Sequence, residues 1–401
     1  MDFPFLPKLP PQVSHLMVFG LLLGLGVLAG EATRRILALP RITGYVLAGV
    51  LLGPQVSGVL DRDALFGLRL LVDLAMGLVL FELGSRLDFE WLRRNQWLFA
   101  AALAECLFCF WAIYLALAYF GFRPLMAATA AAIGTATSPA VIMLVSQELR
   151  SEGQVTERMH LFTVVNVVFA YAVLALLLPF LHLEHQAAWT TAVLHPIYVF
   201  AGAAALGAAA SWLLLRLAAW VGKDGERQFV LMIAMVVAAI GLAHSLKISV
   251  PVALVTFGML ARNLDRQHAL RPVRFGQGGQ IFFVILFVLA GASLEFRALG
   301  MAAAAMVAAF LAARFLGKGV GLLLFGRLSG IPPGGAGLLA IALVPMSGLG
   351  VVMVQDTISL YPSFGAELAA VVLSAVVVLE LVGPVATQYA LRRAGEARPG
   401  A

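Results

Sequence analysis

The chain has 401 residues, 62% of them apolar and 12% charged, with a mean hydropathy of +0.96 and a formal net charge of +6. A water-soluble protein of this length could not cover so much apolar surface, so the composition excludes that class and makes lipid the solvent. The ten-residue amphipathic strands of an outer-membrane barrel are not visible either. The cations are spread over short connecting segments, the pattern of membrane orientation rather than of nucleic-acid binding.

In chain order, Met1 to Pro11 carries one lysine and no small-residue cleavage pattern. The first apolar run, Val18 to Leu28, therefore reads as a spanning helix and not as a removable signal. Hydropathy and Gly/Pro breakers mark about thirteen spans along the chain. Their expected limits are 15–32, 42–60, 65–83, 97–119, 124–147, 160–180, 192–217, 228–246, 249–262, 279–294, 299–325, 334–355 and 363–390. An odd number of spans puts the termini on opposite sides. With the N-terminus outside, nineteen of the 27 Lys and Arg residues fall on the cytoplasmic side and five outside; Arg69, Arg314 and Lys318 fall within spans. That bias predicts an N-out, C-in protein of a bacterial inner membrane. No loop is long enough to fold alone, and residues 392–401 read as a cytoplasmic tail. Cys106 and Cys109 share one apolar run at a CxxC spacing. Redox or zinc chemistry would need water and further ligands, so they read as buried small residues, and neither a cofactor nor a metal is expected. No nucleophile–base set stands at a membrane surface, so the chain is not expected to be an enzyme.

The chain also repeats itself. Leu80-Phe81-Glu82-Leu83 followed by Leu87-Asp88-Phe89 is echoed by Leu286-Phe287-Val288-Leu289 followed by Leu294-Glu295-Phe296. Ala48-Gly49-Val50-Leu51 matches Phe257-Gly258-Met259-Leu260 in nearly the same register. The offset corresponds to an odd number of spans, so the halves sit upside down relative to each other, as in transporters that alternate between outward-open and inward-open states. The expected division is a first repeat over 1–185, a linker span over 186–222 and a second repeat over 223–391.

Two spans are interrupted at matching places, by Gly134-Thr135-Ala136-Thr137-Ser138-Pro139 and by Val344-Pro345-Met346-Ser347-Gly348-Leu349-Gly350. Proline removes a backbone donor and glycine loosens the helix. Freed backbone groups at membrane depth are tolerated only where protein or a wet cavity satisfies them. Two matched breaks predict crossed half-helices whose ends point partial charges at one polar spot near the bilayer midplane.

These residues resemble the cation:proton antiporter superfamily, the Na⁺/H⁺-exchanger membrane domain that Kef-type potassium systems also carry. Leu39-Pro40 with Gly44-Tyr45-Val46-Leu47-Ala48-Gly49-Val50-Leu51-Leu52-Gly53-Pro54 is similar to the family's second-span signature. Leu80 to Phe89, Phe282-Phe283 with Gly291 and Leu294, and Glu380-Leu381-Val382-Gly383-Pro384 resemble later family segments. The resemblance implies an NhaA-like antiporter fold, an all-α polytopic membrane protein with an inverted repeat and two crossed discontinuous helices. It also implies a homodimer, with monovalent cation and H⁺ as partners besides the lipid bilayer. Kef-type proteins add a cytoplasmic nucleotide-binding domain, which is not expected here. Residue by residue it places Thr137 and Ser138 at the first break, Ser347 at the second, and Lys318 as the basic core residue. The chain departs from the family in the sixth span. Where relatives carry one or two adjacent acids, this sequence has Asn166 and Val167.

Valine cannot ionise, so neutral oxygens of Thr137, Ser138, Asn166 and Ser347 remain, and another membrane acid must titrate. Glu82 and Glu105 are the candidates. Glu105 and Arg314 occupy equivalent places in the two halves, which suits either a structural pair or a transporting carboxylate. Arg69 and Asp73, one helical turn apart, read as a local ion pair. Glu31 near a span end and His160 at a span entry read as interfacial residues. Three functions fit: monovalent cation:proton antiport, an anion or small-solute carrier using Lys318 and half-helix N-termini, or a non-transporting regulatory relative.

Overall fold

The computed structural model describes residues 15–60, 65, 67–184, 188–222, 224–265, 270, 277–294, 301–346 and 348–398. All regular structure among the described residues is helical. The elements in chain order are α1 (His15–Leu37), α2 (Arg41–Leu52), α3 (Arg69–Ser85), a short α4 (Phe89–Arg94) and α5 (Gln96–Tyr119). Two half-helices follow, α6 (Pro124–Thr135) and α7 (Pro139–Glu148), then the long α8 (Gln154–Glu184) and α9 (Trp189–Val221). After these come α10 (Gly225–Ser245), α11 (Val250–Leu264), α12 (Gln277–Ala292) and α13 (Met301–Phe325). The last are α14 (Pro333–Ala342), α15 (Gly348–Leu360) and α16 (Pro362–Arg393). Among the described residues eight segments are long and apolar enough to span a bilayer, with α6 and α7 counted as one. With α2, α3, α11, α12 and the broken pair α14/α15 they match the thirteen segments that hydropathy marks out.

The inversion shows in how the helices touch. α2 packs on α12 through Gly49, where an added Cβ would stand 2.0 Å from the Val288 carbonyl oxygen, and through Gly291, where it would stand 2.2 Å from that of Val46. α3 packs on α11 through Gly258, 2.0 Å from the Phe81 carbonyl oxygen, and Gly84, 2.3 Å from that of Val255. Gly49 facing Val288 and Gly258 facing Phe81 are one contact seen from opposite halves, and the other two glycines form the second such pair. Only a residue without a Cβ lets two backbones come this close. The part of the echo at Glu295-Phe296 lies outside the described residues.

α5 and α13, the equivalent helices of the two halves, lie against each other at the same kind of contact. A Cβ at Gly317 or Gly321 would stand 2.6 Å from the Cα of Cys109 or Glu105. The GxxxG spacing on α13 thus draws Lys318 towards the Glu105 face of α5. Around this pair stand the two broken helices, α8 and α16, and their facing sides are buried.

Candidate ion site

The first break follows from its residues. Pro139 cannot donate to the preceding turn, so α6 stops at Thr135 and α7 restarts with Pro139 in its first turn and Ser138 as N-cap. Ala136 is extended, at φ −60° and ψ 135°, and the Ser138 hydroxyl accepts from the Val141 amide at 3.4 Å. In the second break Pro345 cuts α14 from α15 in the same way. The strands of the two breaks touch: the Ser138 amide donates to the Pro345 carbonyl at 3.0 Å. The two crossed breaks expected from the sequence are therefore present and in contact.

Breaking two helices inside lipid frees carbonyls at the ends of α6 and α14, and Arg314 takes them up. Its side chain is 1% exposed and its guanidinium donates to Gly134 (2.8 Å), Ala136 (2.9 Å), Val344 (2.6 Å), Pro345 (3.3 Å) and Leu343 (3.5 Å). Two half-helix C-termini, each carrying partial negative charge, thus neutralise one planar cation.

One turn along α13, the Lys318 ammonium meets Glu105 Oε1 at 2.5 Å, with both side chains at most 1% exposed. The same ammonium reaches the Thr135 carbonyl and the Thr137 hydroxyl, each at 3.2 Å. Asn166 completes the cluster from α8. With its amide nitrogen on Glu105 Oε2 and the Phe162 carbonyl (both 2.8 Å) and its oxygen on Lys318 (2.7 Å) and Thr137 (2.9 Å), both ends are satisfied. The opposite amide orientation would aim the oxygen at acceptors. Every polar atom of Glu105, Asn166 and Lys318 thereby has a partner. Four oxygens surround the ammonium much as they would surround a bare monovalent cation.

The structure thus gathers Thr137, Asn166, Lys318 and Glu105 into one cluster, with Ser138 and Arg314 at the adjoining crossing. It corrects the pairing expected from the repeat. Glu105 pairs with Lys318, not with Arg314, because equivalent positions in two halves need not face each other. Lys318 accordingly has an acidic partner. Glu82 stands apart on α3: Arg86 meets its Oε1 at 2.9 Å and Gln147 at 3.5 Å, while Oε2 is buried without a partner. Ser347 and the side chain of Arg69 lie outside the described residues. Val167 is buried beside Asn166, at 1% exposed. Glu31 is held by Arg35 and Arg41 near the end of α1, as an interfacial acid would be. His160, in the second turn of α8, is packed against protein and 6% exposed. Both cysteines are free and buried, and Cys109 packs at the α5–α13 contact. Glu380, in the Glu380-Leu381-Val382-Gly383-Pro384 segment, is a fully buried acid that the site expectations above do not include. Its signal was available, since it is the lone acid in an apolar run of twenty-odd residues.

Two inverted halves joined at crossed, polar helix breaks within the bilayer define a secondary transporter. Residues 18–393 match the family described as sodium/hydrogen exchanger, transmembrane, and the chain belongs to that family of cation:proton antiporters. Its fold is similar to that of the sodium proton antiporter MjNhaP1 from Methanocaldococcus jannaschii in two solved structures. The one determined at pH 8 shares 15% identity at a TM-score of 0.65, covering 94% of this chain and 95% of that one. The electron-microscopy structure shares 16% at 0.72, covering 96% and 98%. At these identities the likeness establishes the fold. No curated protein matches the chain by sequence.

Proposed function

We propose that this chain exchanges a monovalent cation, Na⁺ or K⁺, for H⁺ by alternating access, with the Glu105–Lys318 pair in the role that span-six acids play in relatives. The observation that carries the reading is the Lys318 ammonium held among four oxygens, one a carboxylate at 2.5 Å, beside the crossed breaks. An arriving cation takes the place of the ammonium on Glu105, Thr137, Asn166 and the Thr135 carbonyl. Lys318 then gives one N–H proton to water on the side to which the site is open and withdraws as a neutral amine. On return it takes a proton and displaces the cation. Charge balances in each direction, because one positive charge replaces another beside Glu105. Asn166 and Thr137 keep the carboxylate aimed, while Val167 adds no charge. Ser138 shapes the site as the cap of α7, and Ser347 of the second break belongs to the proposed set.

In this reading residues 1–185 and 223–391 exchange conformations about the crossing, with 186–222 as linker. The N-out, C-in orientation and the dimer implied by the resemblance belong to the same proposal. A carrier of anions on Lys318 loses its support, since the ammonium is already matched by Glu105.

Proteoliposomes holding a pH-sensitive dye test the proposal. The wild type is expected to respond to a Na⁺ or K⁺ gradient, and Glu105→Gln and Lys318→Gln are each expected to lower the initial rate at least about tenfold. A wild type indifferent to both cations, or Glu105→Gln at wild-type rate, removes the reading.

A further inference from the structure

Glu380 lies on α16, 1% exposed, and its Oε1 is buried with no hydrogen-bond partner. The exchange described above does not use it. Val376, Glu380, Gly383 and Thr387 follow one another at i, i+4, i+7 and i+11, so they form one stripe along the helix. The stripe runs antiparallel along the second broken helix. Val376 Cγ2 is 3.4 Å from a Cβ placed on Gly350, a Cβ on Gly383 would stand 2.8 Å from Pro345 Cα, and the Thr387 hydroxyl donates to the Ala342 carbonyl at 3.0 Å. Glu380 falls between the Gly350 and Pro345 contacts, where α15 begins. That helix is 13 residues long, and its first amides have no partner within it.

The charged groups on the elements packed against α16 are Arg314 and Lys318 on α13, Asp356 on α15, Glu148 on α7 and Arg41 on α2. Arg314 is committed to carbonyls, Lys318 to Glu105, and the Arg41 guanidinium to Glu31. Among the described residues no charged side chain acts on the Glu380 carboxyl. A buried acid without a countercharge, at the positive end of a half-helix in the transport core, has one natural ligand, the proton.

We propose that Glu380 is a second proton-carrying carboxyl of the exchange cycle, seated at the start of α15 and separate from the Glu105–Lys318 pair. The step is a simple transfer. When the break opens to one side, the O–H bond breaks and water takes the proton as hydronium, leaving a carboxylate against the α15 amides. When it opens to the other side, the carboxylate takes a proton from hydronium. Two protons, one from Lys318 and one from Glu380, then move against one cation, and each cycle carries net charge. The place of Glu380 in that cycle rests on the exchange reading above.

Two measurements on the full chain test this and keep the two proposals apart. Dicyclohexylcarbodiimide, an apolar reagent for protonated carboxyl groups, is expected to label Glu380 at acid pH, and less as pH rises, as read by peptide mass spectrometry. In proteoliposomes a potential-sensitive dye is expected to report charge movement driven by a Na⁺ or K⁺ gradient, and the isosteric Glu380→Gln is expected to lower the proton-to-cation ratio. Absence of label at Glu380 across the pH range, or an unchanged ratio in Glu380→Gln that still exchanges, overturns the proposal. If the wild type exchanges nothing, the exchange reading fails, and labelling alone decides whether Glu380 carries a proton.

Discussion

Arg314 shows how much one side chain does here. Five carbonyls from two broken helices converge on its guanidinium, and no other residue type presents that many donors in a rigid plane. Replacing it with methionine keeps much of the volume and leaves those carbonyls to lipid-depth burial. Arg314→Met is expected to cost about 3–5 kcal/mol, the penalty for removing one partner of a buried ionic network. Arg314→Lys should lose less, because the charge stays while the fork is lost. Thermal denaturation of the purified protein checks both, and equal losses for the two would show that charge alone matters. At this scale the sequence was informative about identity and less so about partners. Thr137, Asn166, Lys318 and Glu105 could each be singled out as polar groups at membrane depth. That Glu105 meets Lys318 and not Arg314 depends on the depth at which α5 and α13 cross, which Gly317 and Gly321 set by backbone contact. A spacing in the sequence does not carry that information.

At the scale of elements, the helices were readable because lipid enforces them. Each apolar run must close its own backbone hydrogen bonds, so hydropathy nearly fixes the segments, and Pro139 and Pro345 fix the breaks. What could not be read was the fate of the C-terminal segment. Residues after Arg393 look like a plain polar tail, yet the Glu396 carboxylate folds back onto the first turn of α8. It accepts from the amides of Val155 and Thr156, each at 2.7 Å, and from the Thr156 hydroxyl at 2.8 Å. The Glu152 amide donates to the Glu396 carbonyl at 3.1 Å, and Arg398 pairs with Glu152 at 2.9 Å. A carboxylate at a helix N-terminus satisfies free amides and meets the positive end of the dipole. The helix capped in this way is the one that carries Asn166. Glu396→Ala is therefore expected to destabilise the protein by about 1–2 kcal/mol and to raise hydrogen exchange in the first turns of α8. Unchanged exchange over residues 154–160 would mean that the cap contributes nothing.

At the scale of the molecule, the question is which parts move. In the proposed cycle the two repeats exchange conformations about the crossing, so contacts between the broken helices and the helices around them must break and re-form. The hydrogen bonds joining α7 and α16 to α2, α3 and the turn before α2 gather, among the described residues, at one end of the bundle. The Glu148 carboxylate accepts from the Arg41 amide at 3.1 Å, Gln147 donates to Glu82 at 3.5 Å, and Gln388 donates to the Ala38 carbonyl at 3.2 Å. In the proposed N-out, C-in orientation this is the cytoplasmic end, and the three contacts are read as a latch on that side. Glu148 is the strongest member of the latch, because it is a carboxylate on the first amide of α2. A side-chain cap of that kind contributes about 0.5–2 kcal/mol, which corresponds to an opening equilibrium shifted roughly two- to thirtyfold. Glu148→Ala should therefore raise the population open to the cytoplasm. Faster hydrogen exchange over residues 39–45 and 140–148, together with an altered apparent affinity for cation on that face alone, is the expected outcome. If exchange rises at neither segment, the contact is a passive surface feature, and the moving boundary must lie elsewhere in the fold.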